Sequence, residues 1–144
     1  MTNTNIIIRP SWLSGFIDGD GCFYISILKN KTIALGYQVQ LCLVVTQHIR
    51  DKALLEAIGM YFGSGIVSHQ INTNVVHYRL RDFNTIGDKL LPLLGAYPLI
   101  TTKKHDLANF KRVYEMMKRR EHLTQQGLDQ IRAIKNGMNR GRKS

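Results

Sequence analysis

The nonapeptide Leu13-Ser14-Gly15-Phe16-Ile17-Asp18-Gly19-Asp20-Gly21 constrains this chain more than any other stretch. It reads as a short helix that runs straight into two carboxylates and then into a strand. Ser11, just after Pro10, is positioned to cap the helix start with its hydroxyl. Trp12, Leu13, Phe16 and Ile17 leave almost no polar face, so a helix here must be buried on most sides. Gly15 and Gly19 stand four apart on one face, where missing side chains let another helix backbone come close. Asp18 and Asp20 follow at the base of that helix. Carboxylates are costly to hold there unless capped, hydrated or bound to a cation.

Alone, the run Asp18-Gly19-Asp20-Gly21 would be an ordinary turn. A calcium-binding loop is excluded, because Phe23 stands where its glycine belongs and Lys29 where its final glutamate belongs. With the apolar helix in front, the nine residues resemble the signature of the LAGLIDADG homing endonucleases. Only Ser for Ala, Phe for Leu and Gly for Ala differ.

The resemblance implies an α+β fold of order αββαββα: an antiparallel saddle-shaped sheet with helices behind it and further helices added at the C-terminus. One copy of the motif occurs, which implies a homodimer whose motif helices pair through Trp12, Leu13, Gly15, Phe16 and Gly19. It implies a metal-dependent nuclease that cuts both strands of double-stranded DNA with a stagger. Asp20 and the Gly19 backbone would hold Mg²⁺, with Mn²⁺ substituting. Gln47 would order water near the metal, and a lysine of the Thr101-Thr102-Lys103-Lys104 string would supply positive charge. Aligning apolar positions favours Lys103; aligning the nearby Ala-Asn pair favours Lys104. An intron-encoded, intracellular and organellar role is implied too.

At 144 residues the chain suits one domain, with residues 1–9 as a loose arm and 137–144 as a basic tail. No apolar run approaches a membrane span, and the N-terminus lacks a basic region followed by an apolar stretch. Cys22 and Cys42 make neither a disulfide framework nor a metal-ligand spacing, so reduced thiols are expected. The net charge is +10 and unevenly spread: residues 103–144 hold twelve basic and four acidic side chains, residues 1–60 five and four. That asymmetry points to a polyanionic partner, nucleic acid before membrane.

Along the chain, Phe23, Ile25 and Ile27 alternate with more polar neighbours, as do Tyr37, Val39, Leu41, Leu43 and Val45. The polar tip at 29–32 joins them as a hairpin with odd positions facing the core. A helix is predicted over 49–60, with Ala53, Leu54, Ala57 and Ile58 inward. A second hairpin follows, turning at Thr73-Asn74, with Val67, Ile71, Val76, Tyr78 and Leu80 as its apolar set. Helices are predicted over 83–95, over 104–120 with Leu107, Phe110, Val113, Tyr114 and Met117 buried, and over 124–136.

The polar sheet face would carry Tyr24, Ser26, Leu28, Asn30, Thr32, Gln38, Gln40, Ser68, Gln70, Asn72, His77 and Arg79. Gln and Asn suit adenine edges and Arg suits guanine, and a two-stranded ribbon fits the major groove. Lys111, Arg112, Lys118, Arg119, Arg120, Arg140, Arg142 and Lys143 suit phosphates. No Asp/Glu-x-Lys triplet and no P-loop occurs, so other nuclease and nucleotide-binding designs fit less well. Two further readings stay open on the same scaffold. One is an RNA-binding intron maturase; the other is a DNA-binding regulator that does not cut.

Overall fold

Helix α1 (Pro10–Asp20) begins at the proline itself, with extended Arg9 before it and no side-chain cap bond. The predicted Ser11 cap is therefore absent. Proline brings no N–H to satisfy and its ring already fixes a helical φ, so Ser11 falls inside the first turn. The computed structural model describes residues 6–138. The first five residues of the predicted arm, and residues 139–144 of the basic tail with Arg140, Arg142 and Lys143, lie outside the described residues.

The chain continues through β1 (Gly21–Lys29) and β2 (Tyr37–His48), then a 3₁₀ turn (Ile49–Asp51) into α2 (Lys52–Phe62). Next come β3 (Ile66–His69), β4 (Val75–Leu80), α3 (Phe83–Thr85), a π-helical turn (Ile86–Leu90) and α4 (Leu91–Ala96). Helices α5 (Lys103–Lys118) and α6 (Gln125–Gly137) complete the described residues. The strands form one antiparallel sheet in the order β1-β2-β4-β3. This is the predicted αββαββα order with C-terminal helices added.

Period-two alternation fixes the two sheet faces. Phe23, Ile25, Val39, Leu41, Leu43, Val45, Val76, Tyr78 and Leu80 are buried on one of them. Leu13, Ile17, Leu55, Ile58, Phe62, Phe110, Val113, Leu128 and Ile131 from the helices complete that core. Gly65 illustrates how tightly it closes: φ is +105° there, and a Cβ would lie 2.3 Å from the Tyr78 ring. Only glycine meets both conditions without strain. The Tyr78 hydroxyl donates to the Ser64 carbonyl at 2.7 Å, so the buried phenol is satisfied.

Four packing expectations are corrected. Ala53 is exposed, and Leu55 and Phe62 join Ile58 on the inward face of α2, because positions 55, 58 and 62 recur at helical spacing on one face that excludes Ala53. Ile71 is 81% exposed. The second hairpin turns through residues 70–74 rather than Thr73-Asn74, with the Gln70 amide donating to the Val75 carbonyl at 2.9 Å. Ile71, Gln70 and Asn72 (φ +63°) thus sit on the turn and not on the strand. On α5, Met116 is buried more deeply than Met117.

Helix starts follow local chemistry. Asp82 Oδ2 accepts from the Thr85 amide and hydroxyl, and Thr124 Oγ1 accepts from the Gly127 amide at 3.0 Å. Arg132 of α6 lies 4.8 Å over the Tyr37 ring, tying that helix to the far end of β2.

Candidate active site

Helix α1 has two unlike sides. Leu13, Ser14 and Ile17 are buried in the chain's own core. Ser11, Trp12, Gly15, Gly19 and Asp20 are exposed, and Phe16 is half-buried with its ring stacked on Trp12 at 4.9 Å. The expectation of a helix covered on most sides fails within a single chain: Trp12 remains 45% exposed. A Cβ added at Gly15 or Gly19 would meet nothing within 4 Å. Trp12, Gly15, Phe16 and Gly19 therefore form one stripe of the helix surface that the chain's own core leaves open. Leu13 does not join it. At 0% exposure it points the opposite way, because the apolar residues of α1 form two stripes rather than one.

The helix ends where β1 starts, and three chain segments converge there. Gln47, near the end of β2, donates from Nε2 to Asp20 Oδ2 at 2.8 Å. Lys103, the first residue of α5, donates from Nζ to the Ile17 carbonyl at 3.3 Å. Asp18 Oδ2 accepts from the Ile100 amide at 2.8 Å and the Thr101 amide at 3.2 Å, and Oδ1 accepts from the Thr101 hydroxyl. Asp18 therefore bonds backbone amides, as a helix-end carboxylate does, but those amides belong to a segment 82 residues away. Burial works to raise the Asp18 pKa. The Thr101 hydroxyl, the Ile100 and Thr101 amides and the Lys103 charge outweigh it and hold the carboxyl below the ordinary range.

Sequence reasoning left Lys103 and Lys104 open. Lys103 is half-buried and turned to the end of α1, whereas Lys104 is exposed. Asp20 is exposed at a helix terminus, where the last backbone carbonyls also lack intrahelical donors. Carboxylate and carbonyl oxygens are the donors that hard divalent cations take. Among the described residues no three His, Cys, Asp or Glu side chains come together as a ligand set.

The face of the sheet away from the core carries eight of the twelve predicted residues in register, while Asn30 and Thr32 lie at the first hairpin tip and Gln70 and Asn72 on the second. Tyr24 pairs with Cys42, Ser26 with Gln40 and Leu28 with Gln38. Asn30 Nδ2 donates to Gln38 Oε1 at 3.1 Å, and Asn30 Oδ1 accepts from the Thr32 amide and hydroxyl, which closes the hairpin tip. Ser68 pairs with His77, and Arg79 Nη1 donates to Ser68 Oγ at 3.1 Å. His77 Nδ1 lies 2.9 Å from Thr46 Oγ1 and Nε2 3.4 Å from Gln70 Oε1. A neutral ring satisfies both by donating from Nε2 and accepting at Nδ1. Burial, then the Arg79 charge, lowers the His77 pKa, which favours that neutral form. A hydrogen bond with Cys22, followed by burial, pushes the Tyr24 hydroxyl up to about 12. It stays a proton donor at neutral pH.

Tyr24, Ser26, Cys42, Val44, Thr46, His77, Arg79 and Arg81 line one hollow on this face. Thr46 and Arg81 were missed by sequence reasoning. The alternation His77, Arg79, Arg81 was the available signal, and it was truncated because Arg81 lies one residue past β4. Cys22 and Cys42 are not joined in a disulfide, in keeping with the reduced thiols expected.

The family model described as LAGLIDADG endonuclease matches residues 13–114. "Probable intron-encoded endonuclease 3" of Neurospora crassa is 35% identical over 140 residues, covering 96% of this chain and 26% of the relative. "Probable intron-encoded endonuclease 2" of the same organism is 33% identical over 135 residues, covering 93% of this chain and 30% of the relative. The chain thus spans under a third of the length of these curated relatives. Among solved structures, the I-SmaMI LAGLIDADG homing endonuclease bound to cleaved DNA superposes with a TM-score of 0.90 at 35% identity. That match covers 99% of this chain and 47% of the other. The homing endonuclease I-TnaI gives a TM-score of 0.88 at 36% identity, covering 93% of this chain and 90% of that one.

Proposed function

This chain belongs to the LAGLIDADG endonuclease family, and from that premise we propose that it is a site-specific homing endonuclease. It hydrolyses both strands of a long, roughly palindromic DNA duplex as a homodimer, using a divalent metal. The observation that carries this reading is the convergence of Asp20, Gln47 and Lys103 at the exposed end of α1.

Each residue has a role that its chemistry allows. Asp20 and the Gly19 carbonyl would hold Mg²⁺ or Mn²⁺, since their hard oxygen donors fit such ions. When bound, the ion neutralises phosphate charge and lowers the pKa of a coordinated water. Gln47 fixes one Asp20 oxygen through its amide and orders water beside it. Lys103 sets a positive charge against the negative charge that builds on the phosphate. One chain supplies one such carboxylate, so a second copy of the fold is needed to complete the centre. The Trp12–Phe16 stack and the open Gly15 and Gly19 positions offer a surface on which α1 of that copy can seat.

The sheet face reads bases, chiefly through Gln38, Gln40, Arg79 and their neighbours, and a two-fold protein presents that face twice. Lys111, Arg112, Lys118, Arg119 and Arg120 are exposed on and just after α5, which packs on the core side of the sheet, so they are read as solubilising charge rather than as contacts to the duplex on the opposite face. Both relatives above are called intron-encoded, and the same origin, with an organellar site of action, is proposed for this chain. No helix among the described residues is long and apolar enough to cross a membrane.

The test is a selection for cleaved duplexes from a library of palindromic half-sites in Mg²⁺, run beside Asp20→Asn. Paired staggered ends from the wild type alone support the reading. Sites bound by both proteins and cut by neither, with Mn²⁺ also tried, would leave the non-cutting regulator. Preference for structured RNA over all duplexes would leave the maturase.

A further inference from the structure

We infer that Asp18 and Thr101 are positioning residues: together they form a latch between the end of α1 and the start of α5 that aims Lys103 at the cleavage centre. The inference rests on the reading of Lys103 as the lysine that acts there.

The latch runs through one hydroxyl. Thr101 Oγ1 donates to Asp18 Oδ1 and accepts from the Lys103 amide at 3.2 Å. It thereby joins the motif helix to the first turn of α5. Around it, the Ile100 and Thr101 amides close on the same carboxylate. Lys103 then reaches the Ile17 carbonyl one residue before Asp18. Local preference does not explain this arrangement. A carboxylate in the last turn of a helix opposes the helix dipole, and Asp18 sits there with a second carboxylate, Asp20, two residues on. A residue that breaks a local rule and is met by several donors from a distant segment marks a built device. The device also separates two adjacent lysines. With Thr101 fixed, the first residue of α5 faces the end of α1, and Lys104, one residue later, is exposed.

The test compares Thr101→Val, which keeps shape and loses the hydroxyl, with Thr101→Ser, which keeps the hydroxyl. Each is made alone and with Lys103→Ala in the full chain. Single-turnover cleavage of the duplex returned by the selection, DNA affinity without metal, and the methyl-lysine NMR signal of Lys103 are measured. Thr101→Val should slow cleavage by up to about 100-fold, the scale of a small misplacement. Affinity should be unchanged, and the Lys103 signal should move toward those of exposed lysines. Thr101→Ser should restore both rate and signal, and Thr101→Val should cost nothing further once Lys103 is alanine.

Additive losses, a fall in affinity that accounts for the whole loss, or an unmoved Lys103 signal would overturn the latch while leaving the nuclease reading intact. A wild type that cuts nothing would overturn the nuclease reading, and the latch's role in cleavage with it.

Discussion

Gln47 Nε2 donates to Asp20 Oδ2 at 2.8 Å, joining the end of β2 to the end of α1 across 27 residues of sequence. Asparagine at position 20 keeps an acceptor for that bond and removes one negative charge from the C-terminal end of a helix. Asp20→Asn should therefore abolish metal-dependent cleavage, keep DNA binding, and stabilise the metal-free chain by about 0.3–1 kcal/mol. Thermal unfolding in chelator beside a cleavage assay checks both halves. A destabilised variant would show that Asp20 is structural.

Asp18 makes stability depend on acid. Its folded pKa lies below that of the unfolded chain, so its contribution is fully present above the unfolded value and is lost as pH falls through the folded one. Urea midpoints should drop below about pH 4, the ordinary aspartate range. Asp18→Asn should flatten that limb while lowering the plateau at neutral pH. Parallel acid limbs for the two proteins would count against the assignment.

Arg79 and Arg81 should separate reading from holding. Arg79 is oriented by Ser68 and stands among base-reading candidates, so Arg79→Ala should relax preference at one base pair per half-site, costing about 1–3 kcal/mol for the preferred base. Arg81, exposed at the rim of the same hollow one residue beyond β4, is proposed to meet a phosphate rather than a base. Arg81→Ala should weaken all sites alike and make the salt dependence of binding shallower, by about one unit of slope for each phosphate no longer neutralised. Binding titrations at several salt concentrations against variant duplexes distinguish the two.

Gly15 tests the helix partner. A Cβ there meets nothing in the single chain, so Gly15→Ala should stabilise the monomer by up to about 1 kcal/mol through helix propensity. The same methyl would obstruct a close second helix and should weaken self-association by about tenfold, or 1.4 kcal/mol. Sedimentation equilibrium and melts at low protein concentration give the opposite signs. Unaltered association would remove Gly15 from the interface.

The parts legible in the sequence are those whose signal is local. The odd-position strands and the αββαββα order follow from periodicity, and the end of α1 follows from a run of nine residues. The misreadings each depend on something distant. Leu13 and Trp12 are equally apolar neighbours, and only the packed core decides that Leu13 turns in and Trp12 out. Ile71 reads as a strand residue because its turn is wider than two residues. Lys103 and Lys104 differ by one helical step, and that step is set by Thr101 bonding to a carboxylate 83 residues earlier.

The side chains on the open sheet face hold one another: His77 rests between Thr46 and Gln70, Arg79 on Ser68, and Asn30 on Gln38. Replacing one of them changes how its neighbour is presented, so a preference for DNA letters would not divide into independent one-residue rules. Retargeting such a face calls for block-wise replacement, with Thr46, Gln70 and His77 varied as one unit and Ser68 and Arg79 as another.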